Sequence, residues 1–208
     1  MRSSLALVIA GCTFVAAVAQ AASPNVVISE FRTRGPNGSG DEFVELWNKS
    51  MVATDISGWL LRATGANGAT TVRATVPAGT SLGSGCYYLF GNVSALGYSG
   101  ATGADQAFTV GIADDGRIEI TEADQSIVDQ VAMQPGGGEG TSLAPLVNNA
   151  DQSYERAPGG RRGNAQDTDD NATDFIFHSN SSRPQNRNSC MPTRVLDWTW
   201  GQVKTIYR

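Results

Sequence analysis

The chain has 208 residues, with 15 Lys and Arg against 20 Asp and Glu, and a formal net charge of −5 at pH 7. An acidic chain without a dense basic run is repelled by the polyanionic backbone of nucleic acid, whose binding needs clustered Lys and Arg. Direct nucleic-acid binding is therefore not expected, and one histidine with two cysteines outside the N-terminal segment is too few for a Cys/His zinc site.

The N-terminus starts with Met1, Arg2, Ser3 and Ser4, continues as an apolar run over residues 5–18, and ends in Ala19-Gln20-Ala21. A short cationic start, an apolar stretch and a small-x-small site are the parts of a secretory signal. Residues 1–21 are read as that signal, and the chain as exported to the periplasm, the cell surface or the outside. The apolar run is too short for a comfortable membrane span, so no transmembrane helix is expected in the mature chain. Ile9-Ala10-Gly11-Cys12 resembles a lipobox, so lipid anchoring through Cys12 is the minor alternative. The remaining ~187 residues suit one domain burying roughly 70% of the unfolded chain's surface.

Short runs rich in Val, Ile, Phe, Trp, Tyr and Thr recur along the chain, separated by Gly, Asn and Asp clusters. That pattern predicts an all-β sandwich or barrel of many short strands. Strands are expected at 26–32, 42–47, 56–64, 70–76, 86–90, 106–110, 117–121, 126–133, 153–156 and 174–177. In the first, Val27, Ser29 and Phe31 should face one way and Val26, Ile28 and Glu30 the other. In the second, Phe43, Glu45 and Trp47 share a face. Ser57-Gly58 is a turn pair, with Gly58 giving a tight approach that lets Trp59 turn into the core. Asp114-Asp115-Gly116 reads as a hairpin tip with Gly116 at positive φ. Cys86 and Cys190 suggest one disulfide in an exported chain, the alternative being two separate thiols. Closing a loop of ~100 residues would contribute roughly 4–5 kcal/mol in the chain-entropy model.

Three segments in order carry a family resemblance: Val27-Ile28-Ser29-Glu30-Phe31, then Glu42-Phe43-Val44-Glu45-Leu46-Trp47-Asn48, then Asp55-Ile56-Ser57-Gly58-Trp59. Together they resemble the opening of a lamin-tail domain. Residues 82–90 and Ser153-Tyr154-Glu155-Arg156-Ala157-Pro158-Gly159-Gly160 resemble later pieces, of the bacterial exported type. The resemblance spans about residues 24–190. It implies an immunoglobulin-like β-sandwich and a binding or scaffolding role in place of a reaction.

Glu45, on an aromatic strand face, needs a partner, because an unpaired buried charge is costly. Backbone or arginine donors are expected there, against the alternative of a solvated edge carboxylate. Asp167, Asp169 and Asn171 have the alternate spacing of oxygen ligands in a calcium loop, although Ala172 replaces the turn glycine and His178 the bidentate Glu of an EF-hand. The alternative is an exposed acidic loop that builds turns. His178 follows Phe175-Ile176-Phe177 and reads as a strand-end residue. No Gly-x-Ser-x-Gly elbow is present, and the glycines at 136–140 lack a Gly-Lys-Ser/Thr ending. Neither an enzyme nor a cofactor is expected.

Residues 191–208 form a linker and tail. Thr199 and Gln202 fit a capping box, and Trp200, Val203 and Tyr207 share a helical face, so the tail has the markers of a short docking or sorting helix. The combined expectation is an exported, non-catalytic interaction or structural module binding protein or a cell-envelope or glycan surface. The alternatives are a calcium-linked or carbohydrate-binding accessory module and, behind it, a small secreted hydrolase built around His178.

Overall fold

The computed structural model describes residues 25–65 and 67–191. The expected signal segment, Cys12 and the expected tail helix fall outside them. Strands β1 (Val26–Arg32), β2 (Phe43–Asn48), β7 (Tyr87–Asn92), β8 (Gln106–Phe108), β11 (Ser153–Arg156) and β12 (Phe175–His178) form one sheet in the order β12-β11-β1-β2-β7-β8. All its pairings are antiparallel except β7 with β8. Strands β4 (Leu60–Thr64), β5 (Thr70–Thr75), β9 (Arg117–Thr121) and β10 (Ile127–Ala132) form a second, antiparallel sheet in the order β10-β9-β4-β5. A two-stranded ribbon pairs β3 (Thr54–Asp55) with β6 (Ser81–Leu82).

One apolar core fills the space between the two larger sheets. Ile28, Phe31, Val44, Leu46, Tyr88 and Phe90 come from the first, and Leu61, Ala63, Ile118, Ile120 and Val131 from the second. The architecture is a β-sandwich of immunoglobulin-like type, in which inward-facing residues of each strand alternate with outward-facing ones.

Three local differences from the sequence reading have physical causes. The first lies in β1, where Ile28 pairs with Leu46 and Glu30 with Glu45, leaving Ser29 as an extra residue in a bulge. A bulge shifts the alternation by one residue. Phe31 therefore joins Val26 and Ile28 in the core, while Glu30 turns to the outer face. The second lies before β4, which starts at Leu60. Residues 56–59 form a turn closed by Trp59 N donating to Ile56 O at 3.1 Å, with Gly58 at φ +75°. Trp59 is 8% exposed and packs into the core.

The third concerns residues 114–116. They are no hairpin tip, because β8 and β9 belong to different sheets and the segment crosses between them. Gly116 is not among the positive-φ residues. Its need is room, since a Cβ there would come within 2.9 Å of Ala113 O and 3.2 Å of Thr64 O.

At Gly58 the requirement is conformational, because a Cβ would meet only Ala123 Cβ at 3.5 Å. Gly58→Ala should therefore destabilise the fold by roughly 1–2 kcal/mol through the left-handed backbone alone. Chemical denaturation would read this as a lower midpoint with an unchanged slope; an unchanged midpoint would show that the turn relaxes.

Candidate functional site: carboxylates beneath a C-terminal strap

The outer face of the six-stranded sheet carries a row of acids. Register places Glu45 on β2 opposite Glu30 on β1, and Glu30 opposite Glu155 on β11. The β1 bulge creates this row by turning Glu30 outward, and it frees Ser29 to donate its hydroxyl to Glu45 Oε1. Glu30 and Glu45 are both buried, at 3% and 1% exposure. The cover is the chain after β12. The Arg183 N–H donates to Glu30 Oε1 at 3.0 Å, the Gln185 N–H to Glu45 Oε2, and the Arg187 N–H to Asp105 Oδ2 at 3.0 Å.

Three alternate backbone donors of an extended strap thus land on three carboxylates, two on successive strands and the third just before β8. The strap ends at Cys190, which is joined to Cys86 by a 2.00 Å S–S bond. Met191 N donates to Gly85 O at 2.8 Å beside it. Trp47, on the same face, stacks on Tyr87 at 6.2 Å, and Gly163 fits against its ring.

Burial pushes the Glu30 carboxyl up to about 7, opposed by hydrogen bonds from Ser153 and the Arg183 backbone. Burial first and the Glu30 charge second hold Glu45 well above the usual carboxylate range. Two desolvated like charges on adjacent strands disfavour joint ionisation. Burial and the like charges therefore favour a shared proton on the row, opposed by the backbone donors of the strap.

His178 Nε2 lies 2.9 Å from Glu155 Oε2, beside a cavity of ≈ 380 Å³ lined by Glu30, Glu155, Ser181, Arg183 and Gln185. Ser153, the cross-strand partner of His178, directs its hydroxyl to Glu30 at 2.6 Å. Ser153, Glu30 and Glu45 hold the strap and the sheet edge together, while His178 Nε2 has no hydrogen-bond partner among the described residues.

The acidic run behaves differently from its sequence pattern. The Asp167 side chain is buried at 2% exposure, and its Oδ2 accepts from Lys49 Nζ at 3.0 Å. Asp169 is exposed at φ +57°. Asn171 is buried and bonds backbone, accepting from Ala132 N at 3.1 Å and donating to Gln130 O at 3.1 Å. Residues 171–174 form a helical turn capped by Asp170, so the run is not the exposed loop that turn chemistry suggested. Asp167 instead meets Asp129 on β10 and Glu139 in the glycine-rich loop, with one oxygen from each within 4.8 Å of the others. The sequence reading missed Asp129 and Glu139 because one stood in a strand pattern and the other in a loop, both far from the run.

A larger depression of ≈ 1010 Å³ opens where the loop after β8 meets β5. Its walls include Arg34, Glu42, Arg73, Asp114, Val110 and Val147. Arg34 pairs with Asp114 Oδ2 at 2.6 Å. Arg73 is 9% exposed and donates through Nε to Gly111 O at 3.0 Å, while its Nη2 has no hydrogen-bond partner among the described residues. Val110 and Val147 are 57% and 73% exposed at the mouth.

The raised carboxyls give a testable pH dependence. A carboxyl whose pKa is higher folded than unfolded stabilises fully below its unfolded value, and the contribution is lost as pH rises through the folded one. For Glu30 the window runs from about 4.5 to about 7, on the order of 3 kcal/mol. Glu30→Gln keeps the acceptor and a donor without the charge. It should match the wild type near pH 5 and show a shallower loss of stability toward pH 8, read by urea melts across pH. Parallel curves for the two proteins would show that the strap does not depend on that proton.

Among the described residues, no helix is long and apolar enough to cross a membrane. Comparison with curated proteins returned no match. The sequence profile of the Lamin Tail Domain family matches residues 19–135, more than half of the chain and the whole of β1 to β10. The chain belongs to the lamin tail domain family.

Proposed function

We propose that the chain is exported and acts outside the cytoplasm as a non-catalytic binding or tethering module. Export is supported by the N-terminal pattern of residues 1–21 and by a disulfide, a bond that persists in oxidising compartments. A binding role is supported by the family and by the employment of Glu30, Glu45 and Ser153 in holding chain segments.

The observation that carries the reading is the cleft around Arg73. Arg34 and Arg73 are part of its wall, and acceptors brought by a partner can pair with such cations as charge-assisted hydrogen bonds. Exposed Val110 and Val147 at the mouth add apolar contact area. The partner class that fits is an envelope or matrix surface carrying carboxylates, with acidic glycans the first candidates.

Binding of the mature chain to a panel of acidic and neutral oligosaccharides tests this. Retention of acidic members, reduced at least tenfold by Arg73→Gln in a variant that circular dichroism shows still folded at the assay temperature, is the expected result. Equal retention by the variant, or no retention of acidic members, would reject the cleft as the contact surface. Export is tested separately by fractionating producing cells. The chain should leave the cytoplasm only when residues 1–21 are present, and retention of the intact chain in the cytoplasm would overturn that part.

A further inference from the structure

We infer that Asp129, Glu139 and Asp167 form a site for a divalent cation of the calcium class, which staples β10, the glycine-rich loop and the segment before the helical turn at 171–174. The inference is independent of the cleft at Arg73. Its first support is geometric. One carboxylate oxygen from each residue lies within 4.8 Å of the others, inside the ~5 Å that separates opposite oxygens on one calcium ion.

The second support is an unmet need. Glu139 is 7% exposed and the Asp167 side chain 2% exposed. Glu139 Oε2 and Asp167 Oδ1 are buried without a hydrogen-bond partner among the described residues. Buried acceptors of that kind are costly unless something fills their lone pairs.

The third support is charge. Two cationic side chains serve this region: Arg156 donates to Asp129 Oδ2 at 2.7 Å and lies 3.5 Å from Asp167 and 3.6 Å from Asp174, and Lys49 pairs with Asp167. Among the described residues, Asp129, Glu139, Asp167 and Asp174 face those two cations, an excess of two negative charges when all four are ionised. One divalent ion balances them. All donors are oxygens, which suits calcium and not zinc or copper. Magnesium releases its water reluctantly and is the weaker fit. Backbone carbonyls and water would complete the shell.

The competing occupant is a proton shared between Glu139 and Asp167, and one experiment separates the two. The mature chain, freed of metal with a chelator, is titrated with calcium chloride near pH 7, reading heat of binding and melting temperature. A saturable transition is expected, with a rise of about 5 °C or more at a hundredfold excess over Kd. Glu139→Gln should weaken calcium binding at least tenfold. Asp169→Asn, changing an exposed residue, should keep the response. Absence of any calcium response in the wild type overturns the inference in favour of the shared proton. A full response in Glu139→Gln, or its abolition in Asp169→Asn, overturns the assignment of these three ligands.

Discussion

The rest of the structure depends on one buried cation. Arg156, at the end of β11, is 0% exposed. Its Nε donates to Ile28 O at 2.8 Å, its Nη1 to Gln166 O at 2.9 Å and its Nη2 to Asp129 Oδ2 at 2.7 Å, and the guanidinium sits 4.6 Å over the Phe175 ring. Asp129 Oδ2 in turn accepts from Ile28 N at 2.6 Å. The pairing of β11 with β1 covers Glu30 and Phe31. Beyond it, the Arg156–Asp129 pair occupies the N–H and C=O of Ile28, so a salt bridge stands in for the missing ladder. That bridge joins a strand of one sheet to a strand of the other. Removing either partner would leave a buried charge and an unpaired backbone group, a loss of roughly 3–5 kcal/mol for such pairs.

A desolvated guanidinium also dictates what can surround it. Asp167 and Asp174 crowd in because the cation needs counter-charge, and Glu139 arrives with the glycine loop, whose Gly138 leaves no room for a Cβ beside Asn171 and Ala132. The acids overshoot the cations, and that surplus is what the proposed divalent ion would balance. The other end of β1 repeats the device, with Arg32 between Asp41 and Asp151. Arg32, 1% exposed, pairs with fully buried Asp41 and lies against the Phe43 and Tyr98 rings. Strand β1 is thus held at both ends by buried arginines, and the bulge between them decides which acids reach the outer face.

This explains which features were legible in the sequence. The strands β1, β9 and β11 have the bounds that their β-branched and aromatic runs predict, since a run bounded by turn residues has few other places to go. Gly58 and Trp59 were readable because a left-handed turn and a buried indole each have one favoured residue type. The bulge at Ser29 was not, because the alternation through Ser29, Glu30 and Phe31 reads equally as a regular strand, and all seven residues are buried whichever way they face. The change of sheet between β8 and β9 was hidden because a loop that reverses and one that crosses over use the same residues. The burial of Asp167 and Asn171 was hidden for a different reason. It depends on Arg156 and on the ends of β10, partners that only the fold brings near.

The family match and the structure divide the chain at different places. Residues 19–135 supply β1 to β10, which is both faces of the sandwich but an unfinished six-stranded sheet. The later residues supply β11, β12, Arg156 and the strap. Without them Asp129 would face the core with no counter-charge, and Glu30 and Glu45 would lose the backbone donors that satisfy them. The later segment is therefore a structural requirement of the acids already placed on β1, β2 and β10. The same requirement fixes where the chain leaves the domain. Three carboxylates align the strap and a disulfide ends it, so whatever follows residue 191 departs from a set point beside β7. A tail meant to dock or be sorted gains from such a fixed origin, because fewer orientations must be searched before its partner is met.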